Sequence, residues 1–195
     1  MFPRSILAGL ILAACMPSAL FPLARAGEVA ELAAKAEQLL QQGKALAAYE
    51  ALDAAMNRLW QRLPLTVRKA TFVVGKPGGF GVYNPRENAV FRPGEPVIVY
   101  LELAGFGHRP LSGAFEISIT GDAAIADASG KKILASMKDF LKSRMVSRRK
   151  NREFFAHLTL ELSGAPAGRY QLLLTLKDKV SGKSAKVRLP FEIRK

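Results

Sequence analysis

The sequence predicts a mainly β protein, in which antiparallel sheets of about seven strands follow an α-helical hairpin. Three observations predict it. Apolar residues recur at spacings of three and four over residues 28–61, then change to a period of two from Thr66 onward. Turn-forming clusters divide the alternating part: Pro93-Gly94, Gly121-Asp122, Ser129-Gly130, Gly164 to Gly168, and Ser181-Gly182. Most of the alternating runs also have one apolar face, which is the pattern of antiparallel sheets packed against each other.

The helical lead comes first. Val29, Leu32, Ala36, Leu39 and Leu40 fall on one helical face, and Leu46, Tyr49, Leu52, Met56 and Leu59 form a second stripe. Gly43 lies between them and permits the left-handed backbone of a helix end. Pro64 closes the unit. The run Leu39-Leu40-Gln41-Gln42-Gly43, with Ala48, Tyr49, Leu52 and Ala55, resembles the helix–turn–helix of a tetratricopeptide repeat. It covers one repeat, and such units need about three to bury a continuous core. The pair is therefore expected to pack on the following domain or to recruit a partner.

Alternation then marks the strands. Ala70, Phe72 and Val74 share one face, as do Val97, Val99, Leu101 and Leu103, and Phe115, Ile117 and Ile119. A strand is expected over residues 132–137. The remaining inward sets are Phe154 to Leu162, Tyr170 to Leu176, and Ala185 to Ile193 at every second residue. This predicts an immunoglobulin-like β-sandwich. The expected divisions are residues 1–26 as a signal peptide, 27–63 as the hairpin and 64–195 as the sandwich.

The ending Pro166-Ala167-Gly168-Arg169-Tyr170-Gln171-Leu172, with Ser181-Gly182-Lys183 and Leu189-Pro190-Phe191-Glu192-Ile193, resembles the last hairpin of bacterial envelope β-sandwich modules. The whole is similar to uncharacterised proteobacterial secreted or periplasmic proteins. These join a helical lead to segments like Gly79-Phe80-Gly81-Val82-Tyr83-Asn84-Pro85-Arg86 and Asn151-Arg152-Glu153-Phe154-Phe155. The resemblance implies a fold and a compartment, and it brings no activity with it.

The first residues read as an export signal. Arg4 precedes an apolar stretch over residues 6–21, and Ala24-Arg25-Ala26 forms a small-x-small cleavage site before Gly27. Pro17 and Pro22 cut the stretch below the roughly 20 residues of a membrane span. Periplasmic export with cleavage after Ala26 is the first expectation. Leu12-Ala13-Ala14-Cys15 also fits a lipobox, so lipid anchoring at Cys15 is the alternative. Cys15 is the single cysteine of the chain. Conventional cleavage would leave no thiol for disulfides, catalysis or metal binding.

Composition excludes several classes. With 195 residues, 49% hydrophobic and 23% charged, the chain is not disordered, collagenous or a disulfide-stapled miniprotein. Its formal charge of +13 is uneven. Residues 27–62 and 63–130 are close to neutral, whereas residues 131–195 carry seventeen bases against five acids. Within them Lys142, Arg144, Arg148, Arg149, Lys150 and Arg152 form the candidate surface for an anionic partner. The partner is expected to be an envelope protein, a lipid head group or a glycan, steered by this field. Nucleic acid is not expected, because no aromatic residues interleave with the cluster in a nucleic-acid motif.

Other motifs are weaker. Gly182-Lys183-Ser184 lacks the upstream glycine of a phosphate loop, since position 177 is Lys177. The glycine-rich loop over residues 75–86 presents Phe80, Tyr83 and Arg86 as a candidate small-ligand site. Glu102, beside Tyr100 in an apolar strand, is expected to pair with Arg148 or Arg149. His108 and His157 make no metal site by themselves. A triad assembled around either would make the chain a hydrolase, though no nucleophile elbow announces one. The expected function is therefore a non-enzymatic periplasmic binding or assembly module without a cofactor. A small-ligand binder and a hydrolase are the alternatives.

Overall fold

The computed structural model describes residues 27–195. The expected signal peptide, the expected cleavage site and Cys15 lie outside the described residues. Helices α1 (Glu28–Gln41) and α2 (Ala45–Arg62) form the hairpin. Gly43 turns between them at φ 73°. Its N–H donates to the Leu40 carbonyl and the Lys44 N–H to the Leu39 carbonyl, each at 2.9 Å. This pair of bonds satisfies carbonyls that the last turn of α1 would otherwise leave unpaired.

Nine strands follow: β1 (Thr66–Val73), β2 (Val90–Phe91), β3 (Pro96–Ala104), β4 (Arg109–Leu111), β5 (Ala114–Asp127), β6 (Ile133–Ser147), β7 (Phe155–Glu161), β8 (Gly168–Asp178) and β9 (Ser184–Ile193). Seven of them are the alternating runs. The two added strands, β2 and β4, span two and three residues, too few to show a period.

The small sheet has the order β1-β3-β7. The large sheet runs β2-β9-β8-β5, with β4 and β6 also on β5. Pairing is antiparallel except between β2 and β9, which is parallel and departs from the all-antiparallel expectation. The core lies between the sheets. Val97, Val99, Leu101 and Leu103 of β3 are fully buried, facing Ile117, Ile119, Leu172 and Leu176 of the large sheet. Phe72, Phe91 and Phe191 pack edge to face at one end.

Three expectations need correction. The strand expected over residues 132–137 continues to Ser147, so Lys142 and Arg144 lie in β6. An edge strand facing solvent tolerates outward charges, which masks its period. The register shifts between Gly121 and Ala123, opposite Asp139 at φ 49°. Asp tolerates that conformation better than most residues, and its N–H donates to Asp122 Oδ1 at 3.0 Å.

The second helical stripe is not buried. Leu46, Tyr49, Leu52, Met56 and Leu59 are all exposed, as is Leu40. Small residues sit at the contact between the helices instead, with Ala36, Ala48 and Ala55 buried. Val74, placed with the inward set of β1, falls past the strand end and is exposed.

The hairpin docks through the other side of α2. Trp60 donates its indole N–H to the Phe106 carbonyl at 2.8 Å. Arg152 binds Asn57 at 3.0 Å and forms an ion pair with Asp53. Lys183 Nζ donates to the carbonyls of Leu63 at 2.6 Å, Gly105 at 3.0 Å and Gln61 at 3.2 Å. It thereby places a cation at the C-terminal end of α2, where the helix dipole favours one.

Candidate functional site

The outer face of the large sheet gathers cations from strands far apart in sequence. Along β5, Ile117, Ile119 and Ala123 are buried inward, so Glu116, Ser118, Thr120 and Asp122 point out. Thr120 stands between Lys142 of β6 and Lys177 of β8. Ser118 stands beside Arg144. On the next strand, Lys186 pairs with Thr175 and Arg188 with Leu173. Arg109 of β4 stands opposite Glu116. Besides Arg169, which stands opposite Glu192 further along the sheet, this face therefore carries six cations.

Two acids answer them. Glu116 is nearly buried, with its side chain 4% exposed, and it is clasped by Arg109 and Arg144. The Arg144 and Arg109 guanidiniums hold its carboxyl below the usual carboxylate range. Asp122 accepts from Lys177 Nζ at 2.5 Å, a contact that lowers its pKa and raises that of Lys177. Lys142, Lys186 and Arg188 have no acid partner among the described residues.

The run of bases singled out in the sequence splits four ways. Lys142 and Arg144 belong to this sheet face. Arg148 and Arg149 are exposed in the connection after β6. Lys150 lies over the Phe115 ring at 5.4 Å, and Arg152 holds the hairpin. Lys177, Lys186, Arg188 and Arg109 were not singled out. For Lys177, Lys186 and Arg188 the signal was the outward half of the alternation in β8 and β9, which becomes a surface only once the strand order is known, whereas Arg109 lies in β4, too short to show a period.

The glycine-rich loop closes over the small sheet. Gly81 donates its N–H to Tyr100 Oη at 2.7 Å, and Tyr83 stacks on Tyr100 with ring centres 4.1 Å apart. Tyr100 donates to Glu102 Oε1 at 2.8 Å, so Glu102 pairs with a phenol rather than with Arg148 or Arg149. Burial first, then the neighbouring carboxylate, pushes the Tyr100 pKa up to about 12. Arg86 is held by Glu95 at 2.6 Å and by the Val90 carbonyl at 2.7 Å, with its guanidinium 4.2 Å from the Phe91 ring centre. Tyr83 and Arg86 thus act inside the fold. Phe80 instead lines a groove of about 440 Å³ between β6 and β7, with Lys142, Arg144 and His157.

The histidines lie apart. His108 Nε2 is 2.7 Å from the Asn151 carbonyl, and burial lowers its pKa. Burial also lowers the pKa of His157. Among the described residues neither hydrogen-bonds a serine or a carboxylate, and no group of three or more His, Cys, Asp or Glu could hold a metal. Asp178, almost fully buried, accepts from the N–H groups of Gly107 at 2.6 Å and Val180 at 2.9 Å and from the Ser181 hydroxyl. It ties the loop before β4 to the β8–β9 turn.

No family model matches the chain, and no curated protein does. Among solved structures it is similar to CopC from Methylosinus trichosporium OB3b, with 14% identity and a TM-score of 0.31 over 64% of this chain and 93% of that one. It is also similar to the endo-beta-1,4-mannanase from Thermotoga petrophila, at 10% identity and a TM-score of 0.35. That match covers 77% of this chain and 24% of the mannanase. Neither likeness carries a functional argument at these scores.

Proposed function

We propose that the chain is a non-enzymatic binding or assembly module of the bacterial cell envelope, exported to the periplasm, with the outer face of the large sheet as its contact for an anionic partner. The observation that carries this reading is the set Lys142, Lys186 and Arg188, which share one sheet face without an acid partner among the described residues. Cations left unneutralised on a rigid face attract a polyanion over distances near the Debye length and hold it through charge-assisted hydrogen bonds. Anionic head groups, acidic glycans and acidic protein surfaces all offer that chemistry. The export signal supports the compartment.

The test is binding to immobilised polyanion and to anionic vesicles across a salt series. Lys142→Glu with Arg188→Glu weakens binding at least tenfold and flattens the salt dependence. Binding that ignores both salt and charge reversal overturns the reading. Arg148→Glu with Arg149→Glu asks whether the exposed connection contributes as well, and a smaller loss is expected.

A further inference from the structure

We propose that two copies of this chain pair through the exposed face of α2, each hairpin seating on the other to form a four-helix bundle. The face has the pattern of a helix that expects another helix. Ala45, Tyr49, Leu52, Met56 and Leu59 follow spacings of four, three, four and three, which is a d-a-d-a-d heptad seam over two heptads. In the single chain that seam is open, with Tyr49 62%, Leu52 55%, Met56 43% and Leu59 41% exposed. Leu46 and Leu40 beside it are 72% and 62% exposed.

The flanks of the seam are already occupied. On one side Ala48 and Ala55 pack against α1. On the other, Asp53, Asn57 and Trp60 bind the sandwich. The seam lies between these two contacts, bordered at Tyr49 by Arg149 and Arg152, and nothing within the described residues covers it. Ala33, Ala36 and Leu40 of α1 join Ala45, Tyr49 and Leu52 around an apolar groove of about 370 Å³. A partner helix laid there would place its knobs into a preformed hole.

Area and charge favour a second copy as the occupant. The six large side chains expose roughly 600 Å² of mostly apolar surface, so pairing two copies removes up to about 1,200 Å² from them, the lower bound of stable interfaces. Residues 27–62 carry five acids and four bases, so two hairpins meet with little repulsion. The seam itself carries no cation, and Arg149 and Arg152 border it only at Tyr49, which disfavours an anionic membrane as the occupant. A two-fold axis lets one face serve both sides of the contact.

The test is sedimentation equilibrium of the processed protein from about 1 to 100 μM, with thermal unfolding over the same range. The wild type is expected to be a dimer whose melting temperature rises with concentration. Leu52→Glu with Met56→Glu yields a monomer with an unchanged far-ultraviolet spectrum, because both side chains are exposed in the single chain. Phe140→Glu, on the exposed edge strand β6, leaves the dimer intact. A wild type that stays monomeric at 100 μM overturns the proposal. So does a dimer that survives the double substitution, or one that Phe140→Glu dissociates. These readouts are independent of polyanion binding.

Discussion

Trp60 and Phe106 hold the helical hairpin to the sandwich by two contacts at once. The indole N–H donates to the Phe106 carbonyl at 2.8 Å, and the rings meet edge to face with centres 5.1 Å apart. Both residues are buried. Trp60→Phe keeps apolar bulk but orphans that carbonyl, which costs about 1–3 kcal/mol. Trp60→Ala adds a cavity and costs about 3–5 kcal/mol. Urea unfolding of the two variants measures the difference. Equal losses would show that the hydrogen bond contributes nothing.

Gly105 lies beside that contact, and its environment fixes it as glycine. Its φ is 75°, and a Cβ there would come 2.2 Å from the Pro64 carbonyl oxygen. The Cβ position is fixed by the backbone and the atom it meets is a backbone carbonyl, so no rotamer relieves it. Gly105→Ala is expected to destabilise by more than about 2 kcal/mol, through strain and a forced shift of the chain leaving α2. Gly164, at φ 79° with open space around it, serves as the control, since alanine there meets only the conformational cost. Equal melting temperatures for the two alanine variants would remove the steric argument.

Arg152 was expected to face an anionic partner, and it instead contacts Asp53 and Asn57 across the hairpin junction. A double-mutant cycle of Arg152→Ala and Asp53→Ala should show a coupling of about 0.5–1 kcal/mol, modest because both side chains remain partly exposed. Polyanion affinity should change little in Arg152→Ala. A loss as large as that of Lys142→Glu with Arg188→Glu would return Arg152 to the binding surface.

These residues show what the sequence could and could not reveal. The inward positions of β3 and β8 were legible because every second residue there is a large apolar one, Val97 to Leu103 and Tyr170 to Leu176. β2 and β4 were too short for any period. Tyr100 lies on the outward side of β3, and only the loop folding over it makes it buried, so its bond to Glu102 could not be read from the strand. Lys142 was found because it lies in a dense run of bases. Lys186 and Arg188 join it through β5 and β8, and sequence spacing says nothing of that order. In α2 two faces compete for burial, and the apolar stripe proved to be the open one.

Tyr100 gives a spectroscopic check on the loop. Its raised pKa means that the fold favours the neutral phenol, so its contribution to stability is full below the ordinary tyrosine value near 10 and is lost as pH rises toward 12. Absorbance titration should show a late phase that belongs to Tyr100. Tyr100→Phe removes that phase and loosens the loop over residues 75–86, seen as faster exchange of the Gly81 amide. A single phase near pH 10 in the folded wild type would contradict the buried hydrogen-bonded placement.

Acid should weaken the fold in two windows. The pKa values of His108 and His157 are lowered by burial, so the unfolded chain binds protons first and stability falls as pH drops below about 6.5. The pKa values of Glu116, Asp122 and Glu95 are also lowered, by hydrogen bonds from cationic side chains or backbone N–H groups. Their contribution is full above the ordinary carboxylate range near 4 and is lost below it. Urea midpoints at pH 7.5, 5.5 and 3.5 separate the windows. Replacing both histidines with asparagine should flatten the first and spare the second, and a pH profile unchanged by that replacement would exclude them as its cause.

Glu116 connects stability to the proposed function with opposite signs. Its carboxylate sits nearly buried beneath Arg109 and Arg144, whose own side chains are 55% and 64% exposed. It therefore fixes two guanidiniums in place and neutralises part of their charge. Glu116→Gln removes the charge while keeping the shape and part of the hydrogen bonding. The fold should weaken, because two ion pairs are lost at a site that excludes water from the acid. The sheet face gains one net positive charge, so polyanion affinity should rise and its salt dependence steepen. Binding on the salt series and urea unfolding of the same variant read both quantities. If affinity falls along with stability, the arginines serve the partner only when Glu116 orients them, and the face recognises geometry rather than net charge.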